Sequence, residues 1–361
     1  MINPILIEPK TSPASTQVYI GKGLINEEQI LRQLTQDKKK IVIVTDSAIK
    51  KLYAAPLAKK LQADLIVIPS GEKAKSEKMA AYIINELIAL QAGRDTLLIA
   101  IGGGVTSDLA GFAASIYLRG IPLVLIPTTL LSAVDASIGG KTAINMPQGK
   151  NLIGTIHHPD AIFIDVDTLA TLPEKEIFNG LAEILKTGLI YDTSLLDLAQ
   201  NDPKDPDLIL KAVQAKISII EKDPTEQGIR KMLNFGHTMG HALESVSNYE
   251  MSHGKAVALG CIAESYLSLR LGYLSQEDFN RIVPIYSRFS LALPSHYNRD
   301  KMLQAMAADK KRKQGEIRFV LLEALGKAAS FDGSYCRPVS REELASTLDW
   351  MEEEYSCKSL H

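Results

Sequence analysis

Four side chains in the second half of the chain have the types and spacing of a metal site. Glu183 lies in Gly180-Leu-Ala-Glu-Ile-Leu-Lys186, and His253 lies in Ser252-His-Gly-Lys-Ala-Val257. His237 and His241 lie in Asn234-Phe-Gly-His-Thr-Met-Gly-His-Ala-Leu-Glu244. An i, i+4 pair on a helix shares one face, so His237 and His241 can act together. Glu183 and Lys186, at i, i+3, share a face as well. Any three of the acid and the histidines match the open, three-ligand arrangement of a catalytic zinc site, and spacing alone leaves open which histidine is spare. The glutamate of an H-E-x-x-H protease helix is missing, which excludes that reading. Lys216 and the series Glu226, Arg230, Asn234 add charge nearby. The series is spaced as one helical stripe, a pattern that a solvated salt-bridge face also gives.

A second chemistry lies upstream. Ile101-Gly-Gly-Gly-Val-Thr-Ser-Asp108 follows an apolar run and opens a helical one. Glycines let the backbone turn sharply and approach a ligand, and the free N–H groups of a helix start suit a phosphate. Ser70-Gly-Glu-Lys-Ala-Lys75 follows an earlier apolar run in the same manner. Gly139-Gly-Lys-Thr142 resembles the end of a P-loop, but Asp135 stands where its first glycine belongs, so a nucleotidase is rejected. Lys141, Lys150 and Asn151 in glycine-containing segments suit an anionic substrate.

The elements that must hold these residues fall into two halves. Ile41–Thr45, Leu65–Pro69, Thr96–Ile101, Leu123–Pro127 and Ala161–Asp165 read as buried strands, with helical stretches at Glu77–Leu90 and Val105–Tyr117. Near-continuous apolar strands alternating with helices predict an α/β N-terminal domain with a Rossmann-like parallel sheet. Beyond Leu172 helices dominate, at Glu174–Leu189, Asp207–Lys222, Lys231–Val246, Ala256–Leu271 and Gln276–Phe289, with Ile317–Leu322 the main strand-like run. We therefore expect a nucleotide-binding domain over 1–170 and a mostly α-helical domain over 171–361.

Bulk properties narrow the classes. A net charge of −2 gives no general attraction to nucleic acid or anionic membrane. No apolar run approaches the roughly 18 residues of a membrane span. The three cysteines, Cys261, Cys336 and Cys357, form no C-x-x-C pair, which argues against a disulfide framework or thiolate site and fits a reducing cytoplasm. The N-terminus lacks the basic and long apolar regions of a secretory signal.

Taken in order, Ser70-Gly-Glu-Lys, Gly102-Gly-Gly-Val, Pro127-Thr-Thr-Leu-Leu, Gly139-Gly-Lys-Thr, Gly149-Lys-Asn, Gly180-Leu-Ala-Glu, Asn234-Phe-Gly-His and Asp309-Lys-Lys resemble the motifs of the 3-dehydroquinate synthase family over nearly the whole chain. The resemblance implies catalytic NAD and one divalent metal, Zn2+ or Co2+, on Glu183, His237 and His253, with His241 as the spare. It implies substrate contacts from Asp135, Lys141, Lys150, Asn151, Lys186, Lys216, Arg230, Asn234, His241 and Lys310, with Glu226 in the same polar network. Arg119 resembles a residue that reaches the phosphate pocket of the neighbouring subunit in a homodimer. The positions matching NAD contacts are Asp46, Ser70, Gly71, Glu72, Lys73, Lys75, Gly103, Gly104, Val105, Thr106, Ser107, Asp108, Thr128, Thr129, Lys141, Lys150, Thr168, Leu169, Ala170 and Thr171.

The family reaction converts 3-deoxy-D-arabino-heptulosonate 7-phosphate (DAHP) into 3-dehydroquinate and phosphate, the second step of the shikimate pathway. Transient oxidation at C5 acidifies C6, phosphate leaves by β-elimination, hydride returns, and an internal aldol closes the ring. A cytoplasmic lyase acting on a sugar-acid phosphate is the expectation. The alternatives are another sugar-phosphate cyclase and a metal-dependent polyol dehydrogenase of the same architecture, which would release NADH. Two residues depart from the family pattern. Ser107 replaces a glycine, and Lys255 replaces the glutamate of H-G-E-A-V, which predicts that Lys255 points away from the metal or pairs with Glu244 or Glu250.

Overall fold

The computed structural model describes residues 5–7, 16–27, 35, 38, 40–310 and 316–356. It divides into two compact units, one of residues 1–177 and 204–217, the other of 178–203 and 218–361.

The first unit is built on a sheet. Its strands are β1 (Ile5–Ile7), β2 (Thr16–Gly21), β3 (Lys40–Asp46), β4 (Asp64–Ile68), β5 (Thr96–Gly102), β6 (Leu123–Pro127), β7 (Lys141–Met146), β8 (Gly149–Ile156) and β9 (Ala161–Asp165). Seven of them form one sheet in the order β1-β2-β9-β6-β5-β3-β4, parallel except for the antiparallel edge strand β1. β7 and β8 pair separately as a hairpin. Every residue of β5 is buried, because the sheet is covered on both sides. Its alternate residues Leu97, Ile99 and Ile101 pack with Ile43, Val124 and Ile126 against Leu57 and Ala58 of α1 (Ala55–Leu61). Helices α2 (Glu77–Ala89) and α3 (Gly104–Ile116) follow β4 and β5. The chain order reverses at β3, since β4 lies on one side of it and β5 on the other. The carboxyl ends of strands at such a switch point are where open α/β sheets bind ligands.

The second unit is helical. It contains α4 (Glu174–Ile190, from Phe178 onward), α5 (Ser194–Leu198), the end of α6 (Pro206–Lys222), α7 (His237–Val246), α8 (His253–Arg270), α9 (Gln276–Ile285), α10 (Arg299–Lys310) and α11 (Arg341–Tyr355). Its core joins Met239 and Leu243 of α7, Leu259, Ala263 and Leu267 of α8, Met302 and Met306 of α10, and Leu344, Leu348 and Met351 of α11, with Phe319 from a short strand and Leu321 just after it.

The expected helix over Lys231–Val246 is two elements. A 3₁₀ turn runs over Ile229–Asn234, Gly236 is left-handed at φ 77°, and α7 begins at His237. The expected helix over Gln276–Phe289 ends at Ile285 and is followed by a 3₁₀ turn over Ser287–Phe289. The run Ile317–Leu322 holds two short strands, Arg318–Phe319 and Leu322–Ala324, in different pairings. The β7–β8 hairpin, α10 and α11 were not expected from the sequence.

Candidate active site

The glycine turn sits at the carboxyl end of β5, beside the switch point. Gly103 begins α3 without any side-chain cap, which leaves the helix start to an outside acceptor. A Cβ on Gly103 would stand 3.0 Å from the Thr129 methyl, and one on Gly102 2.5 Å from the Thr106 hydroxyl. The backbone is therefore as bare there as close approach of a phosphate requires. Asp46, the last residue of β3, organises the surroundings. It accepts hydrogen bonds from the Ser70 hydroxyl at 2.8 Å and the Thr106 hydroxyl at 3.4 Å. Thr128 donates its N–H to Gly102 at 2.9 Å. The Tyr53 hydroxyl lies 3.1 Å from the Thr168 carbonyl and 2.7 Å from the Thr171 hydroxyl, fixing the 3₁₀ turn Val166–Thr171. Asp46, Ser70, Gly103, Thr106 and Thr128 thus gather at neighbouring strand ends. This donor-rich turn fits a dinucleotide.

The loop Ser70–Lys75 is tied to the β7–β8 hairpin. Lys75 forms an ion pair with Asp108 and donates to Asn151 Oδ1 at 2.6 Å. Burial raises the Asp108 carboxyl above its ordinary range, against the pull of Lys75. Asn145, which sequence reasoning missed, donates to Glu72 Oε1 at 2.7 Å and accepts from the Asn151 N–H at 2.9 Å. Its side chain holds Asn151 in the left-handed region at φ 54°. Asp135 and Lys216 meet at 2.6 Å, with the ammonium also on the Asp135 carbonyl at 2.5 Å. Lys141 and Arg119 are exposed, and Lys150 is half-buried. Ser107 is buried with its hydroxyl 3.5 Å from that of Ser132. Its added side chain therefore faces the helical turn Ser132–Ala136.

The second unit brings Glu183, His237 and His253 together, with one ligand atom from each lying within 4.8 Å of the others. Glu183 Oε1 is 3.4 Å from His237 Nε2 and 3.2 Å from His253 Nε2. Four ligands around a tetrahedral zinc at about 2.0–2.1 Å stand about 3.3 Å apart, so these separations fit the ion. The outer nitrogens are engaged. His237 Nδ1 faces the Phe235 carbonyl at 3.1 Å, and His253 Nδ1 faces Glu244 Oε1 at 3.7 Å. A proton on each Nδ1 leaves both Nε2 lone pairs pointing at the carboxylate oxygen, a donor set suited to a cation.

Lys186 forms an ion pair with the other Glu183 oxygen, and both side chains are 2% exposed. Burial would raise the Glu183 carboxyl, but Lys186, then His237 and His253, hold it well below the ordinary range. Burial opposes charge on His253, yet hydrogen bonds to Glu183 and Glu244 push it up to about 10. The negative field that favours this proton also favours a metal, and the two compete for Nε2.

His241 lies one turn beyond His237, exposed, its ring centroid 5.2 Å from that of His237. Glu226, Arg230 and Asn234 are held by a turn rather than a helical stripe. Asp223 accepts from the N–H groups of Gln227, Gly228 and Arg230 at 2.9, 2.7 and 3.0 Å. Arg230 is buried and donates to the Pro224 carbonyl at 2.7 Å, and Asn234 donates to Glu226 at 2.7 Å. Lys255 is exposed and turned to the Ser290 carbonyl at 3.4 Å, so it points away from the cluster. Lys310 ends α10, and its side chain lies outside the described residues.

A Rossmann-like sheet with a bare glycine turn, in a chain that also carries a helical Glu–His–His centre, is an architecture that sugar-phosphate cyclases share. The structure is similar to 2-deoxy-scyllo-inosose synthase complexed with carbaglucose-6-phosphate, NAD+ and Co2+, at 25% identity and a TM-score of 0.85 over 96% of this chain and 99% of that one. It is similar as well to 2-epi-5-epi-valiolone synthase from Streptomyces hygroscopicus subsp. jinggangensis 5008 with NAD+ and Zn2+ bound, at 27% identity and a TM-score of 0.84 over 96% and 99%. Family models of the 3-dehydroquinate synthase N-terminal and C-terminal regions match residues 65–179 and 180–312. A curated 3-dehydroquinate synthase of Methylacidiphilum infernorum (isolate V4) is 43% identical over 330 residues, 89% of this chain and 92% of that protein. The chain belongs to the 3-dehydroquinate synthase family, and its activity is the family's phosphate-eliminating ring closure, a lyase step of aromatic biosynthesis.

Proposed function

We propose that the chain converts DAHP to 3-dehydroquinate and phosphate using NAD bound within residues 1–170 and a divalent metal, Zn2+ or Co2+, held by Glu183, His237 and His253 within 171–361. The observation that carries this reading is the convergence of two histidine Nε2 atoms on a carboxylate kept ionised by buried Lys186. When bound, the metal polarises substrate hydroxyls and NAD accepts and returns a hydride.

The chain's own residues bind and orient. Asp46, the loop Ser70–Lys75 and the turn Gly103–Asp108 take the cofactor, with Thr128, Thr129 and Thr168–Thr171 beside it. Asn151 uses its carbonyl on Lys75, so its remaining capacity is as donor, the type a phosphate needs. Lys141, Lys150, Asn151 and Arg119 hold the leaving phosphate by charge-assisted bonds. Arg230 and Asn234, fixed by the Asp223 turn, take the carboxylate, and Lys216, whose ammonium is oriented by Asp135, is a further substrate contact. His241, Lys186 and Lys310 complete the substrate contacts, and Glu226 orients Asn234.

The working form is a cytoplasmic homodimer. Ile116, Leu118, Ile153 and Ile156 are 40–58% exposed. They lie within a few residues of Arg119 or of the Thr155–Ser115 hydrogen bond, exposed apolar side chains of the kind a second copy covers. No helix among the described residues is long and apolar enough to cross a membrane.

The test compares phosphate release from DAHP, glucose 6-phosphate and sedoheptulose 7-phosphate with NAD and Zn2+, while absorbance follows NADH. Phosphate released from DAHP with no net NADH is expected. Preferential turnover of either sugar phosphate would favour a sister cyclase, and steady NADH release a dehydrogenase.

A further inference from the structure

Glu264 is a carboxyl-bearing side chain with no exposure at all, in the middle of α8, and no role described so far uses it. Its Oε2 accepts the Gly236 N–H at 2.8 Å and its Oε1 the Met239 N–H at 3.3 Å, and the Thr238 N–H also points to it. These are the orphan donors of the first turn of α7. The N-cap residue of that helix is Gly236, which has no side chain to offer, so the cap comes from another helix. Gly236 cannot be replaced by an ordinary capping residue. A Cβ there would stand 2.5 Å from Cys261 Sγ and 3.1 Å from the Val257 carbonyl, both on α8. The next residue, His237, is the first of α7. Glu264 and His253 both lie on α8, eleven positions apart, about three turns and so on one face.

We propose that Glu264 is a positioning residue for the metal centre: by capping α7 from α8 it fixes His237 relative to His253. The inference rests on the metal reading given above. A helix start that is free to fray shifts its first residue, and a shift of a few tenths of an ångström is large against a metal–nitrogen bond of about 2.0–2.1 Å. Burial pushes Glu264 up to about 8, against the pull of the backbone N–H groups and Lys186. Glutamine, of the same length, keeps one acceptor oxygen for these N–H groups but turns an NH2 donor toward the rest, so it preserves only part of the cap.

The test titrates metal-free protein with Co2+, followed by its visible absorption band and by competition with a chelator, alongside urea unfolding. Glu264→Ala is expected to bind Co2+ about tenfold or more weakly with an altered band, the size of loss usual for outer-shell partners. Glu264→Gln, with one acceptor left for the cap, should lose clearly less affinity than alanine. Failure of the wild-type protein to bind Co2+ would instead reject the metal reading itself. With the wild type binding, an alanine variant that keeps affinity and band while losing only stability overturns the inference. Equal loss in the glutamine and alanine variants overturns it too, because the cap geometry would then not be what matters. Should the alanine variant fail to fold by circular dichroism, Glu264→Asp decides. Its carboxyl is drawn back by one methylene and should weaken Co2+ binding several-fold, and wild-type binding would overturn the proposal.

Discussion

Glu183 divides its two oxygens, one facing the two imidazoles and the other facing the Lys186 ammonium. Removing one member of a buried ion pair leaves the other charge uncompensated. Lys186→Met is therefore expected to cost metal-free protein about 3–5 kcal/mol of stability in urea unfolding. A loss below about 1 kcal/mol, the value of a solvated pair, would show that the carboxylate does not need the ammonium. Arg230 carries the specificity argument. A neutral sugar phosphate would leave this buried guanidinium without an anionic partner, so Arg230→Ala should damage turnover of DAHP severely and leave NAD affinity intact. Equal loss for DAHP and sedoheptulose 7-phosphate would remove its assignment to the carboxylate. Arg119, Asn151 and Glu226 share another property, a left-handed backbone at φ 67°, 54° and 59°. For non-glycine residues this conformation costs energy and persists only where the surroundings enforce it. The sequence revealed the chemical types of these three residues. It could not reveal their backbone angles, because those of Asn151 and Glu226 follow from the hydrogen bonds of Asn145 and of the Asp223 turn, which local pattern does not show.

Strands were the most legible elements, since β3, β5, β6 and β9 are apolar on both faces and bounded by turn residues. The misread segment was Lys231–Val246, where helical periodicity continues through Gly236 although the backbone does not. A packing demand, the close approach of Gly236 to Cys261, overrides the local pattern. α11 did carry a signal that went unused, Ser340-Arg-Glu-Glu343, which forms a complete capping box. The metal set was narrowed only by the resemblance, because His237 and His241 share a helix face and spacing treats them alike. The Asp223 turn gives a pH prediction. Burial opposes the Asp223 charge, but N–H bonds from Gln227, Gly228 and Arg230 outweigh it and lower the carboxyl. A lowered acid contributes stability above its unfolded value of 3.8, and that contribution is lost as pH falls through the folded value. Asp223→Asn should therefore flatten the acid limb of the stability profile, with DAHP turnover falling at neutral pH. An unchanged acid limb would show that the turn is not ion-stabilised. Lys255 sits in the first turn of α8, where the helix dipole disfavours a cation. Lys255→Glu should stabilise the protein by about 0.3–1 kcal/mol, with Co2+ affinity nearly unchanged because the lysine is turned to Ser290. A large change in affinity would mean that the position is coupled to the metal.

The apolar surface around Arg119 makes the assembly state testable. Leu118→Asp combined with Ile156→Asp should convert a dimer to monomers by light scattering, and DAHP turnover should fall while Co2+ binding persists. A dimer that survives both changes would place the contact elsewhere. The two units are also not two successive stretches of chain. The backbone passes from one to the other after Ile177, after Pro203 and after Ile217, and the last passage falls inside the single helix α6. A polypeptide ending near residue 177 would hold the whole parallel sheet yet lack Lys216, the partner of Asp135. Recombination that joins gene segments end to end cannot exchange the sheet-bearing unit of such a chain as a cassette. New cofactor or substrate preferences in this lineage must arise by substitutions made in place, one side chain at a time.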